Sequence, residues 1–573
     1  MTQTEGKYYT VERNVQIVIS LLKQHGIKHI IASPGTTNMT FVVSAQNDSW
    51  FKIWSAVDER SAAYMACGMA AETNEPVVIS CTGATASRNY MPGLTEAYYR
   101  KLPVLAITST RGNHKLGHLI DQQIDRRQHP ADIVTESVTI PMVKDAEDER
   151  FCEIEVNKAL LALRFNGGGP SHINLYTKYN KDFSVKEIIP ARAIFRFNAY
   201  DRLPPIPDGL KIAVYIGSHA DFSLELQNSV DRFCSTHNAI VLCDHTSGYR
   251  GKYKVNAQLL FCQKQWVSEF RKIDLCIHIG EVSGDPYKMW ASSTWRVSPD
   301  GSLRDLFGNL RNVFMMSEKD FFDRYSLQDK CHTEFLNQIR QEIIDIKKYI
   351  PDIPFSNIWI AQQMADKLPE NTNLFLGIYH CLRSWDFFHV CNNVTIKSNV
   401  GGFGIDGGMS SMIGSSLIKP NKLHIGIFGD LGFFYDMNVI GNRHIGNNVR
   451  ILLINNGRGN EFRNYDHPCC FLGDAADEFI AAAGHFGNKS PQLVMHYATD
   501  LGFEYLFASN KEEFTQQINR FLTSENLDKP LIFEVFTEKE EESRALEIMM
   551  NLKKSPIQVL KSRTKSFIHS IIE

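Results

Sequence analysis

The sequence has no long apolar run and little net charge, and each absence excludes a class of function. No segment reaches the roughly 18 consecutive apolar residues that a membrane-spanning helix requires. The formal net charge is -3, so electrostatics gives no reason to expect nucleic acid or an anionic membrane as a partner. The N-terminus, MTQTEGKYYTVER, also lacks the apolar segment of a signal peptide.

The twelve cysteines form no metal-binding or disulfide pattern. None is arranged as C-x-x-C, and the adjacent pair Cys469 and Cys470 fits neither a zinc site nor a disulfide framework. We expect this pair to be buried by packing. The sequence therefore predicts a cytoplasmic protein with reduced thiols.

Short apolar runs alternate with helix-length segments along the chain, which is typical of parallel α/β domains. A length of 573 residues is also too great for one hydrophobic core. We predict an α/β protein of three domains, each a mostly parallel sheet flanked by helices. Their predicted bounds are 1–188, 189–350 with a proline-containing linker at 189–209, and 351–552, followed by a basic tail at 553–573.

Two predicted strand ends carry polar residues that suit a metal ion. Asp430 follows the apolar run 421–429, and Asn456 follows the run 448–455. Asn456 lies 26 residues after Asp430. That spacing fits one strand-helix-strand crossover, so both side chains would lie at the same edge of a sheet. Carboxylate, amide and backbone oxygens suit Mg²⁺. The alternative interpretation is a strand-end aspartate and an ordinary Asn-Gly turn.

A second signal lies in the first domain. Glu59 begins the alanine-rich helical pattern ERSAAYMACGMA, where a carboxylate has a simple structural role beside the helix dipole. The segment 79–108 then places a turn of small residues after one strand and before a helix and the next strand. Small residues at that turn permit close approach of a ligand or of another subunit.

These motifs together resemble the thiamine diphosphate (ThDP) dependent 2-oxo-acid decarboxylases and carboligases. The residues that carry the resemblance are DER at 58–60, TGATASRNYMPGLTEAYYRKLPVLAIT at 82–108, GD at 429–430 and INN at 454–456. The segments at 374–411, GDLGFFYDMN and DQQID are similar to one branch, the 2-succinyl-5-enolpyruvyl-6-hydroxy-3-cyclohexene-1-carboxylate synthases of the menaquinone pathway. The resemblance covers nearly the whole chain and implies a pyrimidine-binding, a middle and a diphosphate-binding domain.

The resemblance implies a role for each matching residue. Glu59 would activate the cofactor at its pyrimidine ring, Ile405 would hold its bent shape, and Mg²⁺ would be bound by Asp430, Asn456 and the carbonyl of Arg458. The implied cofactor-binding set is Glu59, Thr82, Gly83, Ile405, Gly429, Asp430, Leu431, Asn456 and Phe462. The implied substrate set is Arg111, Gln122, Tyr379, His380 and Arg383, with Arg383 on the donor carboxylate.

The resemblance also implies a homodimer or a dimer of dimers, because the two cofactor-binding domains of one site come from different subunits in this superfamily. Glu59 of one chain would then serve Asp430 of another. A monomer would carry two half-sites.

Two departures from the menaquinone-pathway motif affect the expected substrate. Thr37 and Val400 stand where that motif has arginines, and Ile378 and Tyr379 replace its Asn-Ser. Losing a charge-assisted hydrogen bond costs on the order of 1.5–3 kcal/mol, so two losses would weaken binding of an anionic acceptor by roughly two to four powers of ten. His114, His118 and His380 lie near the expected pocket, where a histidine transfers protons or is simply solvated.

We therefore expect decarboxylation of 2-oxoglutarate or pyruvate, followed by C–C bond formation with an acceptor other than isochorismate. Three alternatives remain open: an authentic menaquinone-pathway synthase, a simple 2-oxo-acid decarboxylase, and a non-catalytic cofactor-binding scaffold. The scaffold is expected to lose the activating glutamate, and Glu59 is present.

Overall fold

The computed structural model describes residues 8–285, 288–327, 331–483, 490–525 and 527–553. The apolar runs of the sequence form short strands, most of them buried on both faces. The strands are β1 (His29–Ala32), β2 (Lys52–Ser55), β3 (Val77–Thr82), β4 (Val104–Thr110), β5 (Glu136–Ile140), β6 (Ser171–Tyr176), β7 (Phe195–Asn198), β8 (Ile212–Ile216), β9 (Ile240–Cys243), β10 (Lys254–Val255), β11 (Lys272–Ile279), β12 (Trp290–Val297), β13 (Leu310–Met315), β14 (Asn373–Leu376), β15 (Thr395–Lys397), β16 (His424–Gly429), β17 (Val449–Asn455), β18 (Glu504–Ala508) and β19 (Leu531–Phe536).

Helices fill the connections between the strands. They are α1 (Arg13–Gln24), α2 (Met39–Gln46), α3 (Glu59–Thr73), α4 (Thr85–Asn89), α5 (Met91–Tyr99), α6 (Ala146–Ala162), α7 (Leu224–His237), α8 (Gln258–Phe261), α9 (Glu318–Tyr325), α10 (Glu334–Lys347), α11 (Asn357–Met364), α12 (His380–Trp385), α13 (Gly408–Ile418), α14 (Asp430–Asp436), α15 (Leu493–Asp500), α16 (Lys511–Leu522) and α17 (Lys539–Met550). Short 3₁₀ helices lie at Asn113–Lys115, Phe165–Gly167, Glu269–Arg271, Met437–Gly441, Asn460–Arg463 and Cys470–Ala476.

The chain divides into two compact units. The first unit comprises Met1–Asp201 and Gly301–Met315. It contains a six-stranded parallel sheet in the order β2-β1-β3-β4-β6-β5. Its core includes the fully buried strand β4 and the apolar face of α1.

The second unit comprises Arg202–Asp300 and Met316–Glu573 and contains two sheets. One has the strand order β10-β9-β8-β11-β12, and the other has the order β15-β14-β16-β17-β19-β18. The latter repeats the order of the first unit's sheet when the strands are numbered along each segment. The predicted α/β class with three mostly parallel sheets is thereby confirmed.

The interpretation of 189–209 as a linker is wrong for its first half. Strand β7 lies there and pairs with β13 in parallel. Arg192 is 7% exposed and forms ion pairs with Glu153 at 3.2 Å and Asp305 at 2.5 Å. The prolines at 190, 204, 205 and 207 predicted a loop because a four-residue strand is too short to leave a clear periodic pattern.

The cysteines are all free thiols. The expectation that Cys469 and Cys470 are buried is wrong, because Cys469 is partly exposed and Cys470 is exposed. Among the helices of the described ranges, none combines the length and apolar character that a membrane crossing needs. Of the predicted basic tail, residues 554–573 lie outside the described residues.

Candidate active site

The two polar strand ends of the sequence lie side by side. Strands β16 and β17 are parallel neighbours, with Gly429 opposite Ile454. Asp430 follows β16 as the first residue of α14, and Asn456 follows β17. The predicted adjacency of these strand ends is confirmed, and it arises because successive parallel strands present their carboxyl ends at one edge of the sheet.

A cavity of about 500 Å³ opens at this edge. It lies entirely within the second unit and is lined by every site residue that the sequence predicted there. These residues are Tyr379, His380, Arg383, Ile405, Gly429, Asp430, Leu431, Asn456, Arg458 and Phe462. Their roles toward a cofactor remain predictions, but the fold brings all of them together.

The oxygen atoms at the base of the cavity suit a divalent cation. Asp430 is 2% exposed, and its Oδ1 accepts a hydrogen bond from the Leu431 N–H at 2.7 Å. The Oδ1 atom of Asn456 is buried and has no hydrogen-bond partner among the described residues. An orphaned amide oxygen beside a buried carboxylate is the arrangement that a hard metal ion would satisfy.

Two glycines leave space beside these oxygens. A Cβ atom added at Gly429 or at Gly457 would meet no atom within 4 Å. Gly457 also has a φ of +80°, a conformation that side chains other than glycine rarely adopt. The backbone at both strand ends is therefore open to a group as large as a phosphate.

Arg383 is not a free cation in this cavity. Its guanidinium forms an ion pair with Glu461 and lies 5.3 Å from the centre of the Tyr379 ring. Tyr379 has a φ of +58°, which is strained for a residue with a side chain. Its ring packs against Phe403 at 5.6 Å. The predicted role of Arg383 on a donor carboxylate thus requires a substrate that competes with Glu461.

A second buried carboxylate faces the same arginine. Asp285 is 7% exposed, and its Oδ2 has no partner among the described residues. Burial raises the pKa of Asp285 to about 7, against the lowering influence of Arg383. Asp285 and Arg383 line a neighbouring cavity of about 300 Å³ that shares His380, Arg383, Glu461 and His467 with the first cavity.

The first unit holds the other predicted cofactor residues. Glu59 is the first residue of α3, and its Oε2 accepts a hydrogen bond from Asn89 Nδ2 at 3.2 Å. Thr82 ends β3, and its side chain packs against Gly35. A Cβ atom added to Gly35 would lie only 2.0 Å from Cγ2 of Thr82. A Cβ atom added to Gly83 would lie 2.6 Å from the guanidinium carbon of Arg126.

Arg126 is a feature of this region that the sequence did not reveal. It is 3% exposed and donates to Thr108 Oγ1 at 2.7 Å and to Asn174 Oδ1 at 2.6 Å. Burial lowers the pKa of Arg126 to about 10. Its guanidinium packs against Gly83 of the Thr82–Gly83 turn.

The predicted substrate residues of the first unit are arranged less clearly. Arg111 forms an ion pair with Asp121 at 2.9 Å and donates to the hydroxyl of Tyr179. Gln122 has a φ of +58°. His114 and His118 are both exposed. No interaction described for this unit shows that these four side chains converge on one point.

Thr37 and Val400, at the two positions where the related motif has arginine, are both buried. Thr37 is 5% exposed and donates from its hydroxyl to the carbonyl of Ser109 at 2.8 Å. Val400 is 3% exposed and packs where a Cβ on Gly284 would come within 3.1 Å of it. Neither position offers a cation to a substrate.

Known proteins are similar to this chain over nearly its whole length. Residues 13–129 match the model for the thiamine pyrophosphate enzyme N-terminal TPP binding domain. The chain is 27% identical to proteins named 2-succinyl-5-enolpyruvyl-6-hydroxy-3-cyclohexene-1-carboxylate synthase from Bacteroides fragilis and Bacteroides thetaiotaomicron, over 94% of this chain and 98% of each relative. These matches identify a thiamine diphosphate-dependent enzyme.

Among solved structures, this ThDP-dependent enzyme was matched to the Rhodococcus jostii RHA1 ThDP-dependent 4-hydroxybenzoylformate decarboxylase. The match has a TM-score of 0.40 and 14% identity, and it covers 92% of this chain and 99% of that chain. The cofactor of the enzyme is thiamine diphosphate. When bound, it would supply a nucleophilic carbon, and the residues of the 500 Å³ cavity fit its diphosphate end.

Four residues of the cavity region escaped the sequence analysis: Asn460, Glu461, Asp285 and Glu542. Glu461 and Asn460 lie within a few residues of Asn456, so their position after β17 was an available signal. Asp285 is 98 residues before Arg383 and Glu542 is 162 residues after His380, with no motif to link them. Only the folded structure brings them to the cavity.

Proposed function

We propose that this ThDP-dependent enzyme uses Mg²⁺ to bind its cofactor, decarboxylates a 2-oxo acid and joins the remaining fragment to an acceptor. The observation that carries the proposal is the 500 Å³ cavity, where Asp430, the orphaned Asn456 oxygen and Ile405 line one space. Ile405 is 38% exposed, so it is available to contact a bound cofactor. Glu59 would complete the site from the partner subunit.

We further propose that the acceptor is not isochorismate. The relatives' name points to a carboxylated cyclohexene product, and isochorismate carries carboxylates that arginines would bind bidentately. In this chain Thr37 and Val400 supply no charge, and Arg383 is balanced by Glu461 with Asp285 nearby. A cavity with so little surplus positive charge disfavours a polyanionic acceptor.

The donor is proposed to be a 2-oxo acid of small size, with pyruvate and 2-oxoglutarate as the two candidates. Tyr379 supports the shorter acid, because its ring lies over Arg383 and reduces the space before the guanidinium. The cytoplasmic location proposed from the sequence is supported by the twelve free thiols.

The test is CO₂ release from the purified protein with ThDP, Mg²⁺ and either acid, measured without and with isochorismate. CO₂ release from either acid with no adduct to isochorismate supports the proposal. An adduct formed from 2-oxoglutarate and isochorismate would overturn the acceptor assignment in favour of a menaquinone-pathway synthase. A free aldehyde as the sole product would instead identify a simple decarboxylase.

A further inference from the structure

His380 on the wall of the cofactor cavity is held by a carboxylate from a distant part of the chain. Its Nε2 lies 2.9 Å from Oε2 of Glu542, a residue in the first turn of α17. The His380 side chain is 15% exposed, whereas that of Glu542 is 0% exposed. The imidazole therefore has one edge against a buried carboxylate and lines the cavity as well.

The carboxylate of Glu542 is itself fixed by three further hydrogen bonds. The Asn357 N–H at the start of α11 donates to Oε1 at 3.1 Å and to Oε2 at 3.0 Å. Thr537 Oγ1 donates to Oε1 at 2.7 Å. A carboxylate that accepts from the first N–H of a helix is stabilised in its charged form. Glu542 is thus a rigid anchor for His380.

We propose that Glu542 is a positioning residue that holds His380 as the proton donor of the cavity. The inference rests on the proposed function, because the proton is needed only after CO₂ has left the donor. With Nε2 engaged by the carboxylate, the proton passes through Nδ1. The buried carboxylate of Glu542 would fix both the tautomer of His380 and the orientation of its imidazole ring.

The proton balance of the step is complete. When CO₂ leaves, its bonding electron pair remains on the former carbonyl carbon of the donor. That pair forms the bond to the acceptor's carbonyl carbon, and the acceptor's π electrons move to its oxygen, which takes the proton from Nδ1. The donor's former carbonyl oxygen, which takes a proton from solvent before CO₂ leaves, passes that proton to His380 as it becomes a carbonyl again and the product leaves. Each turnover therefore consumes one solvent proton.

Charged and titratable groups on several elements face His380 and set its protonation. Burial lowers the pKa of His380, but the hydrogen bond and charge of Glu542, with the charge of Glu461, outweigh it and raise the pKa above its usual value. Arg383, on the same helix, opposes this rise. The other titratable groups that line the 300 Å³ cavity are Asp285, Lys288, Asp466, His467 and Cys262, and those that line the 500 Å³ cavity alone are Tyr379, Cys381, Asp430 and Arg458.

The first experiment needs no cofactor and measures the titration of His380 directly. Deuterium exchange at the imidazole C2 position, read by mass spectrometry of peptides, gives a pKa for each histidine. Glu542→Gln is expected to lower the pKa of His380 by roughly one unit or more, since an adjacent opposite charge shifts pKa by that amount. An unchanged titration of His380 would overturn the proposal.

A matched control exists elsewhere in the same unit. His219 Nε2 lies 3.1 Å from Glu318 Oε2, and this pair also raises the histidine's pKa despite burial. Glu318→Gln is expected to shift the titration of His219 and to leave that of His380 unchanged. A shift of His380 in this control would show a global effect and would count against the proposal.

The second experiment separates CO₂ loss from proton donation. With pyruvate and the two-electron oxidant 2,6-dichlorophenolindophenol, dye reduction reports CO₂ loss without a need for the proton. His380→Gln replaces a partly exposed side chain and is expected to lower hydroxyketone or aldehyde formation about 100-fold, a loss at least about tenfold larger than its loss of dye reduction. Equal losses in both readouts, or none, would overturn the proposal.

The two proposals fail in different ways. If the wild-type enzyme reduces the dye with neither pyruvate nor 2-oxoglutarate, the proposed function fails and the inference fails with it. If the wild type is active and Glu542→Gln leaves both the His380 titration and the pH profile of product formation unchanged, only the inference fails. A lower pKa of His380 in Glu542→Gln, together with a pH profile of product formation displaced to lower pH, supports the inference.

Discussion

A carboxylate at the first position of a helix is normally explained by the helix dipole, and Glu59 shows that position alone does not distinguish that role from catalysis. Its surroundings are more informative. The Asn89 amide donates to one oxygen at 3.2 Å, and the cap of the helix is provided separately by Asp58, which accepts from the Arg60 N–H. The helix therefore does not need Glu59 as its cap, and the carboxylate is available to a ligand.

Replacing Glu59 tests this assignment. Glu59→Gln is expected to lower CO₂ release from the preferred 2-oxo acid about 100-fold or more, because the amide cannot take part in proton transfer with the cofactor. Initial rates at saturating ThDP and Mg²⁺ measure the effect. Glu72→Gln, at the exposed end of the same helix α3, is the control and is expected to retain wild-type rates. Activity unchanged in Glu59→Gln would refute the mechanism.

The orphaned oxygen of Asn456 leads to a prediction about the metal. Asn456→Ala removes a proposed ligand and is expected to raise the Mg²⁺ concentration for half-maximal activity at least about tenfold. The measurement is CO₂ release as Mg²⁺ is titrated into metal-free enzyme. Asn442→Ala, on an exposed residue beyond α14, provides the comparison and should leave the Mg²⁺ requirement unchanged. An equal requirement in both variants would assign Asn456 to the turn alone.

At the scale of single elements, helix α12 carries two residues of the candidate site but is too short to be predicted from a periodic pattern. It has only six residues, yet it begins with His380, contains Arg383 and is followed by Asp386. Asp386 is fully buried, and its Oδ2 has no partner among the described residues. Burial raises the pKa of Asp386 well above its usual range, and the charges of Asp244 and Asp285 raise it further.

This buried acid gives α12 a pH-dependent stability. A carboxyl group whose pKa is raised by folding favours the folded state while it is protonated, and that stability is lost as pH rises through the folded pKa. Burial also raises the pKa of Asp285, whose charge acts on Asp386, to about 7. His245 shows the opposite sign, since burial lowers its pKa to about 4.

We therefore expect the melting temperature of Asp386→Asn, minus that of the wild type, to increase as pH rises above the ordinary pKa range of an aspartate, about 4. Differential scanning fluorimetry at constant ionic strength provides the measurement. Asp500→Asn, at the exposed end of α15, is the control and should give a difference that does not depend on pH. A flat difference for Asp386→Asn would mean that the acid is ionised in the folded protein.

The same elements show what the sequence can and cannot predict. The runs at 76–83, 421–430 and 448–456 became β3, β16 and β17 because continuous apolar segments of that length are typical of strands buried on both faces. Strand β7 and helix α12 were not predicted, because each is too short for a periodic pattern. The hydrogen bond from His380 to Glu542 spans 162 residues, and no local pattern encodes a pairing of that range.

At the scale of the whole molecule, one strand order occurs in two sheets of the chain, which agrees with the proposal that the chain carries two cofactor-binding halves. The sheet of the first unit and the last sheet of the second unit have equivalent orders, with the fourth strand next to the third and the sixth. Each therefore presents strand ends of the same kind at its carboxyl edge. Glu59 with the Thr82–Gly83 turn belongs to one of these edges, and Asp430 with Asn456 belongs to the other.

The proposed assembly requires the two halves of a site to come from different chains, and this can be tested by complementation. Glu59→Gln and Asn456→Ala would each inactivate or impair every site of its own homodimer. In a heterodimer, one site would combine both defects and the other would be intact. Random pairing of equal amounts makes about half of the dimers mixed, so restored activity should approach about one quarter of the wild type.

The experiment is co-expression of the two variants with different affinity tags and purification through both tags in succession. The doubly purified heterodimer is expected to show about half of the wild-type rate per dimer, since one of its two sites is intact. If both halves of a site came from the same chain, each site would carry one defect, and at limiting Mg²⁺ the heterodimer would be no more active than the Asn456→Ala homodimer. The control is a heterodimer of two Glu59→Gln chains, in which neither arrangement leaves an intact site.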